Sequence, residues 1–239
     1  MRLNAFIAEC GVTSRRKSEA LVLGGQIRVN GKLVLAPYFP VDPEKDAVEY
    51  DGKLLKFLSK VYLVMNKPRG VVCAVTDKYD PVVVDLLPEK ARTSRVFPVG
   101  RLDRDSEGLL ILTNDGVFAQ SIQHPSKGVT KEYEVLLNTE INEKHVARWK
   151  AGFEIEGRRV QPLAVEVMPK EPRARWVRVV TGEGLKREVR IMARLTGFRV
   201  SALIRRKIGR LVLEKLQVGE VLELSFSDLY SRITEGGSV

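Results

Sequence analysis

Two cysteines, two histidines and two tryptophans are all that 239 residues provide of those types. Cys10 and Cys73 cannot build a disulfide scaffold or a cysteine zinc site. His124 and His145 leave little material for a histidine-dependent triad or a histidine metal site. His124, followed by Pro125, reads as a capping or surface residue. Aromatic residues make up 7% of the chain, few for a sugar-binding cleft. No apolar run approaches the roughly 20 residues a bilayer crossing needs, so no membrane span is expected. Glu9 and Gly11 fall where a signal peptide would continue its apolar stretch, which points to the cytoplasm. Neither a Gly-x-x-x-x-Gly-Lys phosphate loop nor a Gly-x-Gly-x-x-Gly dinucleotide turn occurs, so cofactor-dependent chemistry is disfavoured and no metal is expected.

What the chain has in excess is positive charge: 40 basic residues against 30 acidic, a net +10. Residues 1–34 hold six basic side chains against two acidic ones, and residues 181–215 hold ten against three. Two basic zones suit a long contact with a polyanion, although solvated surfaces of a charge-rich protein read the same way. A hydrophobic content of 44% is enough for a globular core.

Leu3, Phe6, Ile7 and Cys10 recur with helical spacing, and Gly11 stops that helix. Thr13 or Ser14 can cap a second helix ending at Gly24-Gly25, with Arg15, Arg16 and Lys17 in its first turn. Cations there oppose the helix dipole unless a phosphate sits beside them. Asn30-Gly31 between alternating segments predicts a hairpin that brings Arg28 and Lys32 near one turn, and Asp51-Gly52 predicts another turn. From residue 61 onward, strand-like segments at 61–65, 71–75, 109–113, 131–137, 163–168, 175–181 and 199–204 alternate with few helices. Those helices are read near 117–123, over about 140–151 between Thr139 and Gly152, and over about 186–196. Such a pattern favours an α+β fold with a largely antiparallel mixed sheet, residues 1–58 forming a small module and 59–239 the main domain.

The densest chemistry lies in Gly100-Arg101-Leu102-Asp103-Arg104-Asp105-Ser106-Glu107-Gly108, a polar loop running into the apolar Leu109–Leu112. Asp103, Asp105 and Glu107 start like a calcium loop, but Asn114 stands where its last carboxylate belongs. A two-carboxylate glycosidase is a second reading. The third pairs one acid with one arginine, which keeps the carboxylate ionised as a nucleophile or base.

Taken together, these segments resemble a known family. The order of two short helices, an Asn-Gly hairpin and basic residues at the second helix start resembles the alpha-L RNA-binding motif. Gly100-Arg101-Leu102-Asp103 with Gly108 to Gly116, Asn66-Lys67-Pro68-Arg69-Gly70, Lys131-Glu132-Tyr133-Glu134-Val135 and Glu183 to Met192, continuing to Leu203-Ile204-Arg205, resemble bacterial ribosomal RNA pseudouridine synthases. The branch is the one typified by ribosomal small-subunit pseudouridine synthase A. That resemblance implies Asp103 as the catalytic aspartate, Arg190 as its partner, Tyr133 as the stacking ring and possible proton acceptor, Arg101 as the residue taking the extruded nucleotide's place, and Leu203 as an apolar wall. Lys67 and Pro68 would be architectural. Arg15, Arg16, Lys17, Arg28, Lys32, Lys186, Arg187 and Arg205 would contact RNA. Ribosomal RNA or a pre-ribosomal particle is the implied partner of a monomer that needs no cofactor, with large-subunit RNA leaned toward from Arg187-Glu188-Val189-Arg190. A non-catalytic RNA-binding or ribosome-assembly factor is the alternative.

Overall fold

The computed structural model describes residues 1–182 and 184–239, the side chain of Pro125 excepted. Glu183, which opens the motif read at 183–192, lies outside the described residues. The chain divides into two units, Met1–Lys60 with Thr93–Arg95, and Val61–Arg92 with Val96–Val239.

In the smaller unit, helices α1 (Leu3–Glu9) and α2 (Arg15–Leu23) pack on a sheet of strands β1 (Ile27–Val29), β2 (Lys32–Leu33), β3 (Val48–Tyr50) and β4 (Lys53–Leu54), ordered β2-β1-β3-β4. Leu3, Phe6 and Ile7 of α1 meet Val22, Ile27, Val29 and Val48 in its core. Ser14 caps α2, its hydroxyl accepting from the Lys17 N–H, and the buried Ser18 hydroxyl donates to the Asn4 carbonyl, joining the helices. Asn30 and Gly31 both adopt positive φ, as do Asp51 and Gly52, which is the backbone tight two-residue hairpins require.

Beyond residue 60 the chain forms β5 (Tyr62–Lys67), α3 (Glu89–Thr93), β6 (Phe97–Val99), β7 (Glu107–Thr113), α4 (Gly116–Gln123), β8 (Lys131–Leu137), α5 (Glu143–Ala151), β9 (Phe153–Ile155), β10 (Arg158–Val160), β11 (Ala164–Val167), β12 (Trp176–Thr181), α6 (Glu188–Leu195), β13 (Val200–Ile208), β14 (Leu211–Val212), β15 (Val221–Leu224), α7 (Phe226–Thr234) and β16 (Gly237–Ser238), all in the larger unit but for the last residue of α3. Its main sheet runs β11-β12-β8-β13-β7-β5-β15. Every neighbouring pair along that path is antiparallel except β13 with β7.

The run Leu109–Leu112 is apolar because β7 is covered on both faces. Leu109 and Ile111 join Phe118 of α4 and Leu229 of α7, while Leu110 and Leu112 join Val71, Val83 and Leu87. Three readings need correction. Residues 71–75 are not a strand: Val71 and Cys73 are buried in alternation, but Val72 makes only an isolated bridge to Val82. Helix α5 is capped by Asn142, whose side chain accepts from the His145 N–H, three residues after Thr139. Strand β13 continues four residues beyond 204, to Ile208.

Candidate active site

Loop 100–106 joins β6 to β7, which pair antiparallel with Val99 opposite Ile111. Gly100 turns with φ +74°, and the Ser106 N–H donates to the Asp103 carbonyl at 3.0 Å. Beneath the loop lies Lys67, fully buried. Its ammonium donates to the carbonyls of Pro68 at 2.9 Å and Ser106 at 2.8 Å, and reaches that of Arg104 at 3.5 Å. Burial holds this lysine below its ordinary pKa, against the pull of Cys73 and of the carboxylates of Asp105, Glu107 and Asp103. The Cys73 thiol, raised by burial, accepts from the Leu102 N–H at 3.3 Å.

Where the loop enters β7, Gly108 has φ +107°, and a Cβ on it would lie 2.4 Å from the Arg205 carbonyl oxygen. Only glycine lets the parallel partner β13 come so close. That approach sets Leu203 beside the loop, and β8 lies on the far side of β13 with Tyr133 opposite Arg205. Helix α6 begins after Arg187, itself in the left-handed region at φ +58°. Its face of Val189, Met192 and Ala193 enters the same core as Val135, Val177 and Val179.

These elements bring the paired carboxylate and guanidinium of Asp103 and Arg190 together across 87 positions of sequence. Asp103 Oδ2 lies 3.3 Å from Arg190 Nε and also 3.3 Å from Arg187 Nη1. The Asp103 side chain is 24% exposed and that of Arg190 10%. Arg190 Nε approaches Asp103 as an ion pair without hydrogen-bond alignment. Its Nη2 is fixed more firmly, at 3.0 Å from Asp105 Oδ2, and donates to Ser106 Oγ at 3.1 Å. One guanidinium therefore holds both carboxylates, and Glu107 turns to Arg69 at 3.7 Å. Among the described residues no group of three or more His, Cys, Asp or Glu is arranged to hold a metal ion.

Asp103 lines a cavity of about 160 Å³ with Arg101, Tyr133, Leu203, Lys131 and Arg205. A wider cleft of about 540 Å³ shares Gly100–Asp103 and Arg187 with it and adds Lys186. Arg101, Lys186 and Arg187 are exposed, and in the smaller unit so are Arg15, Arg16, Lys17, Arg28 and Lys32. Arg205, read from the sequence as an RNA contact, is buried, unlike the other basic residues of that reading. It is 4% exposed, its Nε donates to the Leu109 carbonyl at 2.7 Å, and it stands in the cavity wall.

The sequence profile of the RNA pseudouridylate synthase family matches residues 61–195, and that of the S4 domain matches residues 1–48. The chain belongs to the RNA pseudouridylate synthase family. Ribosomal large subunit pseudouridine synthase B of Bacillus subtilis is 34% identical over 94% of this chain and 92% of its own length. A longer chloroplast protein of Arabidopsis thaliana, also named for large-subunit pseudouridine synthesis, is 37% identical over 95% of this chain, which spans 59% of that protein. The crystal structure of a pseudouridylate synthase superposes with a TM-score of 0.69 at 28% identity, covering 96% of this chain and 98% of that one.

Four participants in the site of this pseudouridine synthase have a place that their sequence does not reveal. Arg187 was assigned to RNA and touches Asp103 as well. Asp105 and Ser106 anchor Arg190. Lys131 stands out in the sequence only as part of a motif, although strand alternation puts it on the face of Tyr133, two residues on.

Proposed function

We propose that this protein isomerises a specific uridine of ribosomal RNA to pseudouridine, with Asp103 as the catalytic aspartate. The observation that carries the reading is Asp103, shared between Arg190 and Arg187, at the wall of a small cavity that also holds Tyr133 and Leu203. Isomerisation breaks the N1–C1′ bond, turns the base and joins C5 to C1′, with no net redox change and no second reactant. The carboxylate acts at the sugar, as nucleophile or as base, and two guanidiniums hold it in place. A base inside a helix must first swing out, at a cost of a few kcal/mol. Tyr133 offers a face for stacking, worth roughly 1–3 kcal/mol per base. Arg101, exposed at the mouth of the cavity, takes the vacated space, and Leu203 bounds the uracil on its apolar side.

The exposed Arg15, Arg16, Lys17, Arg28 and Lys32 of the 1–58 module, with Lys186 and Arg187 of the 59–239 domain, bind phosphates, which makes affinity fall steeply with salt. Large-subunit RNA is the favoured target, supported by relatives named for it. The protein works as a monomer without a cofactor, in the cytoplasm, and no described helix is long and apolar enough to cross a membrane. The test is a map of pseudouridines in ribosomal RNA from a strain lacking this chain. One uridine should stay unmodified and regain modification when the purified protein is added. An unchanged map would overturn the reading.

A further inference from the structure

Two cations in the cavity wall have no assigned work. Arg205 is 4% exposed, yet among the described residues its guanidinium finds one hydrogen-bond partner, the Leu109 carbonyl, to which Nε–H donates. Its Nη2 is buried and has no acceptor among the described residues. Lys131, two residues before Tyr133 on β8, lines the same cavity, and its ammonium makes no hydrogen bond or ion pair with a described residue. Burial holds the Lys131 ammonium below its usual pKa and the nearby Arg205 charge lowers it further, while Glu188 of α6 opposes both. The charged groups around Lys131 are thus Arg205 from β13, Glu188 from α6, and Asp103, Arg101 and Arg187 at the cavity mouth. A buried guanidinium with unused donors, next to a second desolvated cation, is unfavourable until an anionic acceptor arrives.

We infer that Arg205 and Lys131 form the wall that receives the uracil carbonyl oxygens and carries the negative charge the base acquires when it leaves the sugar. This rests on the pseudouridine synthase reading of the same cavity. When the N1–C1′ bond breaks, its electron pair departs with the base and spreads onto O2 and O4. After rotation, C5 returns an electron pair to C1′. The proton then lost from C5 balances the proton taken up at N1, so nothing is oxidised or reduced. Asp103 serves the sugar side of this event and the two cations serve the base side. Charge that develops only as the bond breaks is stabilised best by donors already fixed in a dry site. The assignment also explains why Arg205 faces inward while its neighbours Arg206 and Lys207 pair with Glu134 and Glu132.

The test uses the full chain and a ribosomal RNA fragment carrying either uridine or 5-fluorouridine at the target position. Fluorine makes the departing base a weaker base, so its departure depends less on external cations. Lys131→Met should lower the single-turnover loss of target uridine by about 10²-fold and the loss of 5-fluorouridine by only about tenfold, with RNA affinity and Tm close to wild type. Lys131→Arg should recover most of the rate. Arg205→Lys should show the same difference between substrates, and Lys131→Met keeps the test decisive if that variant fails to fold. Equal losses on both substrates, a loss confined to RNA affinity, or no loss would each overturn the inference. A wild-type protein that converts neither target would instead overturn the parent reading, and this one with it.

Discussion

Lys67 and Arg190 both brace the loop that carries Asp103, one from β5 and the other from α6, but they grip it differently. Lys67 donates to backbone carbonyls alone, so it sets the path of the chain whatever side chains the loop bears. Arg190 faces the carboxylates of Asp103 and Asp105 and the hydroxyl of Ser106, so it sets charge and direction rather than path. A cation held by neutral acceptors is scaffold, and one held by a reactive acid controls that acid. Stability and activity should therefore separate at these two positions.

The largest separation is expected from Lys67→Met. The buried Ser106 carbonyl and the half-buried Pro68 carbonyl would lose their donor, so urea unfolding of the larger unit should shift by roughly 1–3 kcal/mol, with activity lost as the loop loosens. An unchanged midpoint with lost turnover would place Lys67 in the chemistry and break the contrast. Arg190→Lys keeps the charge and removes the planar fork. It should lower turnover about 10²-fold while the unfolding midpoint moves by less than in Lys67→Met. Equal stability losses would make Arg190 scaffold too.

Glu132 sharpens the comparison with a third arrangement, on the sheet face away from the cavity. Burial alone would raise its pKa, but Arg178 at 2.7 Å and Lys207 at 3.3 Å bring it below the usual glutamate value. Its stabilisation is present above that ordinary value of 4.5 and is lost as pH falls through the lower folded one. Glu132→Gln should thus cost about 1 kcal/mol near neutrality, match the wild type in strong acid, and leave turnover within twofold. A pH-independent stability difference would show that the ion pairs contribute nothing.

Much of the smaller unit was legible because its signals are local. Ser14 caps α2, and Asn30-Gly31 takes the turn its composition demands. Positions in the larger unit that depend on distant partners were harder to read. Val71 and Cys73 alternate like a strand, but Val72 bonds to the Pro81 carbonyl, in a connecting segment rather than a sheet. Helix α7 was missed although Ser225 caps it and Leu229 and Ile233 show the spacing of a buried stripe. Arg205, Arg206 and Lys207 read as one basic run, whereas a register shift between Arg205 and Lys207 leaves Arg205 in the cavity wall and turns Arg206 and Lys207 toward Glu134 and Glu132. The pairing of Arg190 with Asp103 came from resemblance alone. No local pattern links a loop before β7 to the first turn of α6.

Asp103→Asn, compared with the wild type in single turnover on a ribosomal RNA fragment containing the target uridine, tests the central claim most directly. Pseudouridine formation should fall by at least about 10³-fold with RNA affinity within twofold, because the substitution keeps the shape of the side chain and removes only its charge. Turnover within tenfold of wild type would contradict the account.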